Sequence, residues 1–356
     1  MPTVVVDAMG GDHAPLEVVR GAVDAASNGV DVLLVGDEVQ IAPVLKRFDA
    51  DLPIVHANEV IEMGEDASRA VRAKKDASIM VAARLIKDGE AQSLVSAGST
   101  GAALAASAFV IGRLPGVSRP AIASVFPTRE VVLDVGANIE VSPEQLTQFG
   151  VMGYAVAQVF LEIEDPRVGL LNIGEEAGKG RDLEQAAYPL LAGVGGLNFV
   201  GNVEGRDVPS HPADVVVCDA SVGNVTMKFF EGLSRTIFGM LEAEFKRLPW
   251  GPLGYFFMRP GIGRIRERFD YEKLGGSPLL GVNGTVLISH GSAKRRMIGY
   301  AVEVTAAAAR ANIPERISAA LASEGVDKRT AQQKTAALHS EGELRPDEVG
   351  EVAESD

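Results

Sequence analysis

Residues 93–112, SLVSAGSTGAALAASAFVIG, hold the unit from which the chain is built. A short apolar run, Ser93–Gly98, ends in small and hydroxylated residues, and a helical pattern over Thr100–Gly112 follows. Continuous apolar runs of this kind suit parallel strands covered by helices on both faces. The unit recurs along the chain. Strand-like runs fall at Thr3–Met9, Val30–Gly36, Pro53–Ala57, Ala121–Phe126, Val131–Gly136, Val168–Gly174, Asn198–Gly205, Asp214–Asp219 and Thr285–His290. Helical patterns fall at Leu16–Asn28, Asp66–Asp88, Pro143–Leu161, Leu183–Gly193, Val222–Lys246 and Ala293–Asn312. The start at Pro143 is well marked, with Ser142 as N-cap and Gln145 completing a capping box. The alternation predicts an α/β fold, a three-layer α/β/α arrangement around a mostly parallel sheet. One domain is expected over residues 1–326. The polar, acidic residues 327–356 are expected to be disordered.

Composition narrows the function. The chain is 46% hydrophobic but only 5% aromatic, so its core is built from Val, Ala, Leu and Ile. A net charge of −14 disfavours nucleic acid as a partner. Small anions remain acceptable, because local backbone dipoles at helix starts outweigh a distant net charge. The single cysteine, Cys218, allows no internal disulfide and reads as a buried, inert thiol. The N-terminus lacks a signal-peptide pattern and no apolar run is long enough to span a bilayer, so a cytoplasmic location is expected.

Ligands of open α/β sheets bind beyond the carboxyl ends of the strands, which directs attention to six loops. In SAGSTG, the helix start with Ser96, Gly98, Ser99, Thr100 and Gly101 is either an anion site or a capped glycine turn. In LDVGAN, Asp134 and Asn138 either orient a reacting group or tie down the turn. Lys179 follows a glycine-bounded run, NIGEEAGKG, and is either a phosphate partner or a solvated surface charge. FVGNVEGRD carries Asn202 and Glu204. CDASVGN carries Asp219 and Asn224, with Lys228 one turn further on the face of Asn224. His290 ends the run TVLISHG, and His13 follows the first strand; each is an acid–base candidate or a structural histidine. No metal-ligand spacing and no P-loop is present. No dinucleotide fingerprint follows a strand, and no cofactor is expected.

Taken in order, VVVDAMGGDHAP, SAGSTGA, RLPGVSRPA, LDVGAN, PEQLTQFGVMG, NIGEEAGKG, FVGNVEGRD, DVVVCDASVGN and GGSPLLGVNGTVLISHG resemble the segments of the bacterial phosphate acyltransferase family (PlsX), over about residues 2–325. The resemblance implies transfer of an acyl group from acyl carrier protein to inorganic phosphate, for phospholipid synthesis. It also implies an isocitrate/isopropylmalate-dehydrogenase-like fold, a homodimer, no nicotinamide cofactor and peripheral membrane association. The chain departs from the family's usual pattern at Ser99, Arg181, Ala220 and Ser221. For such a reaction, Ser96, Ser99, Thr100 and Lys179 are expected to hold phosphate. Asn224 and His290 are expected to serve the oxyanion or the leaving sulfur, with Asp134 orienting one of them.

Residues 245–271 carry seven of the chain's 19 aromatic residues, including Trp250, Phe256 and Phe257. Between Lys246 and Lys273 the net charge is +4, against −14 for the whole chain. With Pro249, Pro252 and Pro260 interrupting it, this stretch reads as an exposed aromatic tip on basic flanks. An anionic membrane surface, the acidic carrier protein and a dimer contact all suit it. Three rival functions stand beside the main one. A coenzyme A or acetyl-type phosphate acyltransferase shares the chemistry. A dehydrogenase shares the fold but needs a nicotinamide site. A noncatalytic membrane scaffold has no use for so many polar strand-end loops.

Overall fold

The structure is a computed structural model and describes residues 2–247 and 249–326. The expected disordered stretch, 327–356, lies outside the described residues. Eleven strands form one sheet, in the order β3-β2-β1-β4-β11-β10-β5-β6-β9-β7-β8. They are β1 (Thr3–Asp7), β2 (Asp31–Gly36), β3 (Ile54–His56), β4 (Ser93–Ser96), β5 (Ala121–Val125), β6 (Val131–Leu133), β7 (Val168–Asn172), β8 (Phe199–Glu204), β9 (Val215–Val217), β10 (Ser277–Leu280) and β11 (Thr285–Ile288). All ten runs expected from the sequence form strands. The eleventh, β10, was not expected, and it changes the geometry of the whole sheet.

β11 runs parallel to β4, β10 antiparallel to β11, β5 antiparallel to β10, and β6 antiparallel to β5. The outcome is two halves. Strands β1–β4 and β11 point one way; β6, β9, β7 and β8 point the other. Short connections cause the reversals. Only residues 281–284 join β10 to β11 and 126–130 join β5 to β6, and a parallel pair needs a crossover of a dozen residues or more.

The helices are α1 (Leu16–Ser27), α2 (Glu38–Arg47), α3 (Ala67–Ala73), α4 (Ser78–Lys87), α5 (Thr100–Ala106), α6 (Pro143–Phe160), α7 (Asp182–Ala192), α8 (Ala220–Arg247), α9 (Gly251–Arg268), α10 (Arg295–Arg310) and α11 (Ile313–Ser323). Alternating strand residues decide which face each covers. Val5, Leu94, Val132 and Val216 pack with α3, α4 and α5 on one face of the sheet. Val4, Val6 and Leu287 pack with α1 and α10 on the other. On that second face Val131, Leu133, Val215 and Val217 pack with α6, α7 and α11. The expected three-layer architecture is therefore present.

Three local readings are corrected. The single helix expected over Asp66–Asp88 is two, α3 and α4, separated by residues 74–77. The helix from Thr100 passes into a π-helix at Ser107–Ile111. The proline-broken stretch is the helix α9, paired with α8 as a hairpin. Pro252 occupies its first turn, where an unpaired N–H costs nothing, and Pro260 lies within it. No described helix is long and apolar enough to cross a membrane.

Candidate active site

The carboxyl ends of β1, β4 and β11 meet. The Asp12 N–H donates to Gly291 O at 2.8 Å, joining the loops after β1 and β11. A Cβ on Gly10 would lie 2.7 Å from the Gly98 nitrogen, so the loops after β1 and β4 come this close because Gly10 has no side chain. This first edge gathers Ser96, Gly98, Ser99, Thr100, Gly101, His13 and His290.

Its floor is Asp7, a residue absent from the sequence-based candidates. Ser96 Oγ donates to Asp7 Oδ2 at 2.7 Å and accepts from the Gly98 N–H at 3.1 Å, with both side chains buried. Burial pushes the Asp7 carboxyl upward from its ordinary value, against opposing hydrogen bonds from Ser78, Ser96 and the local backbone. Ser96 is thus committed to the turn and is not open to a ligand, contrary to the expectation that it holds phosphate. Ser99 is the N-cap of α5, accepting from the Ala102 N–H at 3.4 Å. Thr100 is exposed at the first helical position, where helix N–H groups have no intrahelical acceptor. His290 is exposed as well. Its Nδ1 accepts from the Ser292 N–H at 3.2 Å and lies 2.8 Å from Ser292 Oγ. In the neutral ring that leaves the proton on Nε2, which makes His290 a donor toward the edge. A small cavity here is lined by Asp7, Gly10, Ser78, Ser96, Gly98 and Ser99.

The remaining candidates collect at a second edge, the carboxyl ends of β6, β9, β7 and β8. Asp134 is fully buried and accepts from the N–H groups of Ile122, Gly136, Ala137 and Asn138 and from Asn138 Nδ2, at 2.7–3.2 Å. Five donors use up its capacity, so the turn-holding role prevails over that of a group orienting a reactant. Burial raises its pKa. Asn138 is equally committed, donating to Pro120 O and Asp134 Oδ2 at 2.7 Å each. Asn224 Nδ2 donates to Val135 O at 2.8 Å, which fixes the first turns of α8 against this loop. Asp219, buried, accepts from the Val222 N–H at 3.0 Å and pairs with Arg181, which also grips Glu184. Asn202 Nδ2 donates to Glu176 O at 2.8 Å, and its buried Oδ1 has no donor among the described residues. Glu204 lies 3.3 Å from the exposed Arg206. Lys179 is half exposed and only 3.9 Å from Glu176, so its ammonium is available to a ligand. Cys218 is buried and its thiol is pushed well upward by desolvation, as an inert core residue requires.

The small cavity at the first edge is lined by no residue of the second edge. The physical reason is the reversal at β10 and β5, which sends the two sets of strand ends in opposite directions. Among the described residues no cluster of His, Cys, Asp and Glu is arranged to hold a metal.

The aromatic segment forms the tip and return arm of the α8–α9 hairpin. Trp250, Phe256 and Phe257 are 79%, 68% and 73% exposed, as expected of a tip offered to a partner. Along α8, Val225, Phe229, Leu233 and Ile237 recur every four residues and are exposed, an apolar stripe on one helical face.

Known proteins match this chain over most of its length. The family model described as fatty acid synthesis protein matches residues 2–316. A phosphate acyltransferase of Desulfitobacterium hafniense (strain DSM 10664 / DCB-2) is 49% identical over 308 residues, covering 85% of this chain and 92% of that protein. In fold alone, a phosphotransacetylase crystal structure from Streptococcus pyogenes superimposes with a TM-score of 0.59 at 21% identity, over 87% of this chain and 94% of that one. A 4-hydroxythreonine-4-phosphate dehydrogenase from Klebsiella pneumoniae does so at 0.51 and 14%, over 85% and 98%. With ordered loops matched along nearly the whole α/β core and almost half of the aligned residues identical, the chain belongs to the phosphate acyltransferase family and is a transferase.

Proposed function

We propose that the chain moves a fatty acyl group from acyl carrier protein to inorganic phosphate, giving acyl phosphate for phospholipid synthesis. A phosphate oxygen attacks the thioester carbonyl, a C–O bond forms and the C–S bond breaks. The proton that phosphate loses ends on the carrier's thiol. Phosphate is itself the nucleophile, so the protein's task is to hold it, orient it and stabilise the oxyanion. No cofactor enters the scheme.

The observation that carries this reading is the convergence at the first edge. The open start of α5, the hydroxyls of Ser99 and Thr100 and the Nε2–H of His290 are all donors at one edge of the sheet, where Gly98 and Gly101 keep the backbone accessible. Donors at a helix start suit a phosphate dianion. In the proposal His290 donates to phosphate or to the departing sulfur. Lys179 and Asn224 reach the reactants from the second half of the sheet. Strand twist of about 20–25° per step turns that half by roughly 80–100° between β4 and β6, so the two edges are not back to back.

The proposal extends to partners. The aromatic tip on basic flanks is assigned to an anionic membrane surface, with the flanks also suited to the acidic carrier protein. The α8 stripe is assigned to a homodimer contact, and residues 1–326 to one acyltransferase domain.

A comparison of palmitoyl donors tests the reading. Phosphate-dependent release of thiol is expected to be much faster from palmitoyl–acyl carrier protein than from palmitoyl-coenzyme A. Equal or faster transfer from coenzyme A would replace the carrier protein as donor.

A further inference from the structure

A further cavity lies at neither edge's turn. It is a trough of about 780 Å³ between the α8–α9 hairpin, the carboxyl end of β5 and the turn that precedes β10. That volume falls within the range of roughly 300–1,000 Å³ usual for ligand sites. Its floor is an aromatic series. Phe126 packs against Phe230 at 5.3 Å between ring centres, Phe230 stacks on Phe269 at 6.0 Å, and Phe269 meets Phe238 at 5.8 Å. Phe245 and Tyr255, 5.5 Å apart, continue it toward the hairpin's tip. The charged residues at its rim largely neutralise one another: Arg296 pairs with Asp270 and Glu272, and Lys273 with Glu267. The aromatic series gives the trough an apolar floor between charged side chains.

One end of the trough abuts the candidate site. Leu274 lines it, and the next residue, Gly275, accepts a hydrogen bond at 2.6 Å from Ser289 Oγ, the neighbour of His290. Arg296, six residues past His290, lines the trough beside Leu274, where it pairs with Asp270 and Glu272. The trough thus begins beside the loop that carries His290.

We propose that the trough holds the acyl chain of the substrate, and that its length sets the chain-length preference. The inference rests on the acyl-transfer reading above. The groove side of α8, with Met227, Phe230, Phe238 and Phe245, is a different face from the exposed stripe of Val225, Phe229, Leu233 and Ile237, so the acyl chain and a second copy do not compete for it.

Two variants narrow the trough independently. Gly239 lines it with nothing within 4 Å of where a Cβ would sit, so Gly239→Phe fills open space in a helix. Ser234→Phe does so one turn earlier. Each methylene excluded from an apolar site is worth about fourfold in binding. Both variants are therefore expected to lose tenfold or more in kcat/KM for palmitoyl–acyl carrier protein while octanoyl transfer stays within twofold of wild type. Binding of a palmityl thioether of pantetheine, which cannot transfer its chain, should weaken in parallel. Unchanged palmitoyl-to-octanoyl ratios and unchanged thioether binding in both folded variants overturn the trough. Tight thioether binding that the variants abolish, with no acyl transfer by the wild type, leaves the trough standing and removes the reaction instead.

Discussion

The guanidinium of Arg181, in the loop after β7, pairs with the buried carboxylate of Asp219 at the start of α8. Asp219 is 1% exposed and Arg181 58%, so the arginine is a lid over a charge that has little other solvation. The same guanidinium holds Glu184, and the two carboxylates raise its pKa further. The contact ties the Lys179 loop to the helix that carries Asn224. Arg181→Ala is expected to cost about 1–3 kcal/mol in urea unfolding, the range for leaving a buried acceptor unsatisfied, lessened here by water reaching an exposed site. Asp219→Asn in the same chain should recover part of that loss, and a strictly additive double variant would show that the two groups do not act on one another.

Asp7 gives a pH dependence whose sign is opposite to the usual carboxylate. Its pKa is raised by burial above the ordinary 3.8. The native state therefore binds the proton more tightly than the unfolded chain does. The stability this group contributes is fully present below pH 3.8 and is lost as pH rises through the raised native value. Asp7→Asn removes the titration. The stability of wild type relative to Asp7→Asn should fall as pH is raised from 4 toward neutrality, measured by denaturant unfolding at each pH. A difference that is flat or rises with pH contradicts the assignment.

Lys179→Ala separates the second edge from the first. Lys179 makes only a loose 3.9 Å contact, so the change should leave unfolding within about 0.5 kcal/mol of wild type. The KM for phosphate should rise tenfold or more if the two edges serve one reaction. An unchanged phosphate KM takes Lys179 out of the site and leaves phosphate to the first edge alone.

Much of this was readable before the fold was known, and the failures have identifiable causes. Ten strands announced themselves as β-branched runs. β10 did not, because SPLL is four residues long, contains a proline and is bounded by Gly276 and Gly281. Missing it hid the reversal of the sheet and with it the division of the candidate residues into two groups. A signal was nonetheless present, since the expected strands ending at Phe126 and beginning at Val131 leave no room for a crossover. Asp134 looked like chemistry because sequence shows a carboxylate at a strand end but not the five donors that occupy it. Asp7 was overlooked for the converse reason, being a strand residue whose partners, Ser78 and Ser96, are distant in sequence. α9 is hidden by its prolines: a helix tolerates Pro252 in its first turn, but Pro260, within the helix, reads as a break.

The exposed tip invites a direct assay. Trp250 and Phe256 are both largely exposed, so Trp250→Asp with Phe256→Asp should leave folding unaffected. Flotation with liposomes containing anionic lipid should be lost in the double variant and kept by wild type. Flotation that survives the change moves the membrane contact elsewhere and leaves the tip to the carrier protein or to a second copy.

The central claim is that inorganic phosphate takes the acyl group from a carrier thioester. Purified protein incubated with palmitoyl–acyl carrier protein and labelled phosphate should yield a labelled lipid product that hydroxylamine destroys, in amounts equal to the carrier thiol released. Thiol release without phosphate, or no labelled product from a folded protein with any acyl donor, would contradict the account.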